Sequence, residues 1–153
     1  MSDEGIKQLQ RNKKAFFNYE IIETIECGIS LAGTEVKSIR KNSFSFSDSY
    51  VKIDKRSNLV LEGFHISPYA LGTIENHEPT RPRRLLAHAH EIKRLKRKVD
   101  EKGLTLVPTR VYLKRGLVKV EIGLARGKKT HDKRDTIRDR DLKRDADRSM
   151  KRY

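Results

Sequence analysis

The chain reads as mainly β: about six short strands curled into a small antiparallel barrel, with a short helix, a longer basic helix and a basic C-terminal tail. Three observations carry this expectation. Short runs rich in β-branched and apolar residues recur between turn residues, as strands do. Helical spacing of apolar residues appears in only two places. The last 26 residues hold almost no apolar side chains, so they lack the surface that could offset the entropy of ordering them.

Residues 1–11 are polar and read as a flexible lead-in. Tyr19 to Ile25 is a strand by composition, and Gly28 to Leu31 resumes it after an expected bend or bulge at Cys27-Gly28. In Gly33 to Arg40, Val36 and Ile39 stand three apart and Thr34 can cap, which predicts a short helix. Asp48 to Ile53 and Leu59 to Phe64 predict a hairpin around the polar turn Asp54 to Asn58. The segment from Ser67 to Pro82 contains three of the four prolines and reads as a loop.

Leu85, Ile92, Leu95 and Val99, with Leu86 and Ala89 beside them, form one helical stripe that stops at Gly103. Lys93, Arg94, Lys96, Arg97 and Lys98 fall on its other face. Leu104 to Leu113 and Leu117 to Arg126 then predict a hairpin with Lys114-Arg115-Gly116 as a three-residue loop. In the last strand Val118, Val120, Ile122 and Leu124 alternate with Lys119, Glu121 and Gly123, so one face is buried and the other mostly wet. Closing such strands into a barrel removes exposed edges, and an OB-like barrel over residues 12–127 fits the count best.

Charge narrows the class of partner. The net charge of +14 exceeds the roughly 2–8 typical of a small soluble domain. From Lys128 onward lie 11 of the 35 Lys/Arg and 6 of the 21 Asp/Glu, which leaves 24 and 15 in the body, so tail and body are net +5 and +9. Both parts are suited to a polyanion, and nucleic acid is the polyanion expected. Trp is absent and aromatic residues are 7% of the chain, which favours recognition by charge and shape over a row of stacking rings. The single cysteine, Cys27, allows no internal disulfide and no cysteine metal cluster. With no apolar signal core and no run of about 18 apolar residues, a cytoplasmic setting with no membrane partner is expected.

Several strings converge in order and spacing: Gly33-Thr-Glu-Val-Lys-Ser-Ile-Arg40, Ser47-Asp-Ser-Tyr-Val51, His65-Ile-Ser-Pro-Tyr69, Lys102-Gly-Leu-Thr-Leu-Val-Pro108, and Gly123-Leu-Ala-Arg-Gly-Lys-Lys129 with His131-Asp-Lys-Arg134. From about Asn12 onward the chain closely resembles the SsrA-binding protein family, also called small protein B, of bacterial trans-translation. The resemblance implies a six-stranded OB-like barrel that binds, as a monomer, the tRNA-like domain of transfer-messenger RNA (tmRNA). It further implies delivery of alanyl-tmRNA, with elongation factor Tu, to stalled ribosomes. The tail is then expected to enter the empty mRNA channel and to become helical only there.

By local motif, the family's tmRNA contacts fall on Glu26, Leu86 and Lys119, and its ribosome-contacting tail on Gly127, Lys128, Lys129, His131, Asp132, Lys133 and Arg134. Lys119, on the wet face of the last strand, suits a phosphate. Glu26 could accept a hydrogen bond from a base edge or a 2′-OH, or orient a neighbouring lysine, while Leu86 suits either packing on a base or simple core. The Gly127 to Arg134 string reads as hinge and first contacts, with His131 placed to stack on or hydrogen-bond an rRNA base. Where the family has Arg-His, this chain has Phe16-Phe17, whose rings could stack on a base.

The tail has a latent pattern of its own. Leu142, Ala146, Met150 and Tyr153 fall within about 80° on a helix, with Arg140, Lys143, Arg144, Arg148 and Lys151 opposite. Catalysis finds no support. His88 and His90 on a helix would point about 200° apart and share no metal. His131-Asp132 in a mobile tail is not preorganised, and Cys27 has no histidine beside it. No cofactor or metal is expected. The alternatives are a ribosomal-protein-like rRNA binder and a metal-dependent nuclease.

Overall fold

The computed structural model describes residues 5–71 and 76–128 and, beyond them, Arg134, Ile137, Arg138, Arg140, Leu142 and Arg144. Its elements are β1 (Ile6–Arg11), α1 (Lys13–Asn18), β2 (Tyr19–Ile29), α2 (Gly33–Arg40), β3 (Phe44–Ser45), β4 (Tyr50–Ile53), β5 (Leu59–Glu62), β6 (His65–Ile66), β7 (Arg83–Leu86), α3 (Ala89–Lys102), β8 (Thr105–Lys114) and β9 (Leu117–Gly127). The hydrogen-bonded order β8-β4-β5-β7-β2-β9 returns to β8, so six antiparallel strands close into the expected barrel. The long strands β2, β8 and β9 make closure possible, because β8 pairs with β9 along its whole length and with β4 only at Leu106.

Alternation sets the core. Cys27, Leu59, Leu61, Leu85, Leu106, Val111, Val120, Ile122 and Leu124 all turn inward and are buried in one cluster. Phe44, Phe46 and Phe64 pack within it at centroid distances of 5.6–6.1 Å, Phe46 edge-on to both of the others and Phe44 tilted against Phe64. From α3, Ile92 and Leu95 reach the same cluster.

Five local expectations are corrected. Residues 6–11, expected to be a flexible lead-in, form β1 from Ile6 to Arg11, which pairs with β8 from Ile6↔Lys114 to Arg11↔Arg110. A strand added to the outside of a closed barrel needs backbone partners more than apolar side chains, so its polar composition hid it. The α1 turn was not anticipated either. It is fixed by Asn12, whose side-chain oxygen caps the Ala15 N–H while its amide donates to the Pro108 carbonyl at 2.8 Å.

The stripe expected to be one helix from Leu85 is split. Arg83–Leu86 is drawn between β5 and β2 as a strand, with Leu61↔Arg83 and Gly28↔Leu86 in register, and helix begins only at Ala89. The expected break at Cys27-Gly28 is absent; β2 runs through it, and the register shifts instead between Ile21 and Glu23. The β8–β9 loop has two residues rather than three, since Lys114 pairs with Leu117 and both Arg115 (φ 51) and Gly116 (φ 81) are left-handed. That is the turn geometry that matches strand twist.

At α2 the capping residue is Ala32, not Thr34. Glu35 accepts the Ala32 N–H at 2.7 Å, and the Thr34 hydroxyl instead meets His77 Nδ1 at 2.9 Å.

Candidate nucleic-acid interface

The barrel's outward face is organised around a bare spot, Gly28. Its neighbour on the chain, Cys27, points inward, as do Leu85 and Val120 beside it, so Gly28, Leu86 and Lys119 face out together. Leu86 lies opposite Gly28 on one side and Lys119 on the other. A Cβ on Gly28 would meet Leu86 Cβ at 3.4 Å, so the leucine rests against the glycine backbone. Leu86 is 50% exposed, which decides between core and contact: it belongs to the surface. Together with Leu31, Arg40 and Leu117 these residues line a shallow groove of about 330 Å³.

Glu26 stands two residues before Gly28 on the same face and is exposed. Its Oε1 accepts the Tyr112 hydroxyl at 2.5 Å, and Lys114 Nζ lies 3.4 and 3.5 Å from its two oxygens. The Tyr112 hydrogen bond, with Lys114 and Lys119 nearby, holds the carboxyl below the usual carboxylate range despite partial burial. Burial and the bond to Glu26 push the Tyr112 phenol up, so it stays protonated and donates. Tyr112 is in turn opposite Lys119 across β8 and β9. The carboxylate therefore anchors Tyr112 and Lys114, whereas Lys119 makes no ion pair or hydrogen bond with the described residues and is available to a phosphate.

Three features of the structure behind this face escaped sequence reasoning. Glu35 and Arg83, both 0% exposed, form a buried ion pair (Nε to Oε2, 2.5 Å) that Arg81 joins with bonds of 2.5 and 3.1 Å. Arg83 also donates to the carbonyls of Phe64 and Pro79 at 2.7 and 2.9 Å. Burial pushes the Glu35 carboxyl up, but the bonds from Arg81, the Ala32 amide and Arg83 outweigh it and hold the group below its ordinary value. This network ties α2 and the preceding loop to β7, the strand that presents Leu86. The only signal for it was Glu35 within an otherwise helical string.

The second is Glu23, which receives Arg94 at 2.7 Å and Lys98 at 2.6 Å and so fastens α3 to β2. Lys93, Lys96 and Arg97 remain exposed on α3. Third, the His88 and His90 rings do not point apart. His88 is the extended N-cap of α3, and the rings stack with centroids 5.6 Å apart and planes 13° apart. Among the described residues no group of three His, Cys, Asp or Glu could hold a metal ion. Burial and two nearby carboxylates push the Cys27 thiol up to about 12, so it has no thiolate character to offer.

Gly127, expected to be a hinge, is paired with Tyr19 at the end of β9, and the Lys128 amide donates to the Asn18 carbonyl at 2.9 Å. Lys129, His131, Asp132 and Lys133 lie outside the described residues, as do Lys143, Ala146, Arg148, Met150, Lys151 and Tyr153. Arg134, Ile137, Arg138, Arg140, Leu142 and Arg144 have helical backbone and are exposed, where the sequence predicts a tail without structure in the free protein. Arg140 places its guanidinium 5.3 Å from the centre of the Phe17 ring.

Comparison with known proteins adds a separate line. Residues 9–152 match the family model described as SmpB protein. The chain is 52% identical over 151 residues to the SsrA-binding protein of Treponema denticola, covering 99% of this chain and 97% of that one. It is 51% identical over 148 residues to the SsrA-binding protein of Caldanaerobacter subterraneus subsp. tengcongensis, covering 97% of this chain and 93% of that one. Among solved structures it is similar to a chain described as "tmRNA-SmpB: a journey to the center of the bacterial ribosome", at 48% identity and a TM-score of 0.66, covering 79% of this chain and 85% of that chain.

Proposed function

The chain belongs to the SmpB protein family, and on that premise we propose that it is a non-enzymatic RNA-binding factor of ribosome rescue. Its barrel face binds the tRNA-like domain of tmRNA through Glu26, Leu86 and Lys119. Together with elongation factor Tu it delivers alanyl-tmRNA to stalled ribosomes in the cytoplasm. The tail, through Gly127, Lys128, Lys129, His131, Asp132, Lys133 and Arg134, follows the empty mRNA channel past the decoding region.

The observation that carries this reading is the convergence of Leu86 and Lys119 on Gly28, with Glu26 holding Tyr112 and Lys114 alongside. Three distant stretches of sequence supply one outward surface that offers an apolar contact, a phosphate donor and an acceptor. That combination suits a folded RNA whose backbone and 2′-hydroxyls are read by shape. Among the described residues no helix is long and apolar enough to cross a membrane.

The test is a gel-shift competition between the tRNA-like domain of tmRNA and rRNA fragments of equal length. Preference for the tRNA-like domain is expected. Equal binding favours the ribosomal-protein-like alternative and overturns the proposal, and RNA cleavage that requires added divalent metal would favour a nuclease. Deleting residues 128–153 is expected to leave tRNA-like binding largely intact while abolishing release of stalled ribosomes.

A further inference from the structure

Helix α1 carries Phe16 and Phe17 side by side, both half-buried, on a part of the surface that Glu26, Leu86 and Lys119 leave unused. Large aromatic rings half in solvent, in a chain with few aromatic residues, call for a reason. Cationic side chains stand near both rings. The Arg11 guanidinium lies 3.9 Å from the Phe16 ring centre and Arg110 lies 5.9 Å from it, while Arg140 of the tail stands over Phe17 at 5.3 Å. With Lys13 and Arg144 these rings line a groove of about 460 Å³, within the size range of small-ligand sites, and among the described residues no carboxylate contributes to its walls.

Four cations around an apolar floor repel one another until an anion enters. Inorganic phosphate would satisfy the charges and waste the rings. A nucleotide uses both, because its phosphate takes the arginine and lysine donors and its base stacks on the phenyl face. The planar Arg140 guanidinium already occupies the place over Phe17 that a base would take, held by the same ring quadrupole that attracts cations. Strand register leads from the groove's edge toward the interface described above: Arg110, near Phe16, is opposite and ion-paired to Glu121 across β8 and β9, and Glu121 is opposite Glu26 across β9 and β2.

We propose that the Phe16–Phe17 groove binds one unpaired nucleotide of single-stranded RNA. Its base stacks on Phe17 in exchange for Arg140, and its phosphate lies between Arg11, Lys13 and Arg144. This subsite rests on the RNA-binding reading of the chain and adds to it a single-strand contact where the tail leaves the barrel.

The experiment uses the full chain with two fluorescein-labelled probes of equal charge, hexa-adenylate and an abasic phosphodiester hexamer. Wild type is expected to prefer hexa-adenylate. Phe17→Leu keeps the apolar bulk and removes the ring, so affinity for hexa-adenylate falls about tenfold while the abasic strand is unaffected. Phe17→Tyr, which keeps the stacking face, retains wild-type affinity. Arg144→Gln, which removes one of the proposed phosphate contacts, weakens both probes and flattens their salt dependence.

If Phe17→Leu changes hexa-adenylate binding by less than about twofold, or weakens both probes equally, the subsite is refuted. Unchanged binding of the tRNA-like domain by the same variant then shows that the RNA-binding reading survives. A wild-type chain that binds that domain no better than the abasic strand overturns both. Melting temperatures of all variants are compared, and the Tyr variant separates loss of stacking from loss of fold.

Discussion

Replacing Glu35 with Gln is the most direct test of how the interface is held in place. The change conserves shape and removes one charge from a site where Glu35 and Arg83 are both fully buried. In the wild type the carboxylate accepts four hydrogen bonds: the Ala32 amide at 2.7 Å, Arg81 at 2.5 and 3.1 Å, and Arg83 at 2.5 Å. An amide has one oxygen for those donors, and its NH₂ must face at least one of them. Arg83 is then a buried cation left with carbonyl dipoles from Phe64, Glu78 and Pro79 and the charge of the unbonded Glu78 carboxylate.

Breaking a buried pair by removing one partner costs about 3–5 kcal/mol. Half-exposed Arg81 can turn to water, so the lower end of that range applies. For a chain of this length each kcal/mol moves the midpoint by about 2–4 °C, so a drop of roughly 6–12 °C is expected by circular dichroism. The pH dependence is a second readout. The folded pKa of Glu35 lies below its ordinary value of 4.5, so its stabilisation is fully present above 4.5 and is lost as pH falls through the folded pKa. Wild type and Glu35→Gln should therefore differ most near neutrality and converge on the acid side. A midpoint within about 2 °C of wild type at neutral pH, or a gap that persists in acid, refutes the account of a charge-stabilised clamp.

The remaining predictions concern the outward face and the core beneath it. Lys119→Ala is expected to weaken binding of the tRNA-like RNA and reduce the slope of log affinity against log salt by about one, measured by anisotropy over a salt series. Tyr112→Phe removes the bond that most lowers the Glu26 pKa, so an NMR titration should show that carboxyl moving up toward 4.5, with about 0.5–1.5 kcal/mol lost in urea melts. Because the Glu26 pKa is depressed in the fold, that loss is seen above 4.5 and fades as the carboxyl protonates. Gly123→Ala puts a methyl 2.9 Å from Ile21 Cγ2 and 3.0 Å from Thr109 Cγ2, and about 1–3 kcal/mol of destabilisation should follow in the same melts. An alanine tolerated there without cost would mean that β2 and β8 can part to make room.

What could be read from sequence was whatever rests on local periodicity. The barrel strands β4, β5, β8 and β9 carry alternation that survives the choice of neighbours, and Gly103 stops α3 in the left-handed conformation such a glycine favours. What could not be read depends on partners far along the chain. Arg83 to Leu86 has the composition of a helix start, and only the vacant position between β5 and β2 makes it a strand. β1 is polar and gains its structure from the unfilled edge of β8. The residues of the outward face could be named by motif, but their meeting at Gly28 follows from register, and register is set by closure. The clamp of Glu35 with Arg81 and Arg83 joins positions 46 and 48 residues apart, a distance over which single-sequence patterns are silent.

β9 has one further consequence. The same uninterrupted strand carries Lys119 near its start and releases Lys128 just past its end, where the backbone is still tied to Asn18. At roughly 3.3 Å per residue the two points are about 30 Å apart, and paired strands on either side keep that separation from changing. The barrel is thus a spacer of fixed length between whatever Lys119 holds and wherever the tail is sent. Lengthening the tail would extend its reach, but only re-registering a strand of the barrel could move its point of origin.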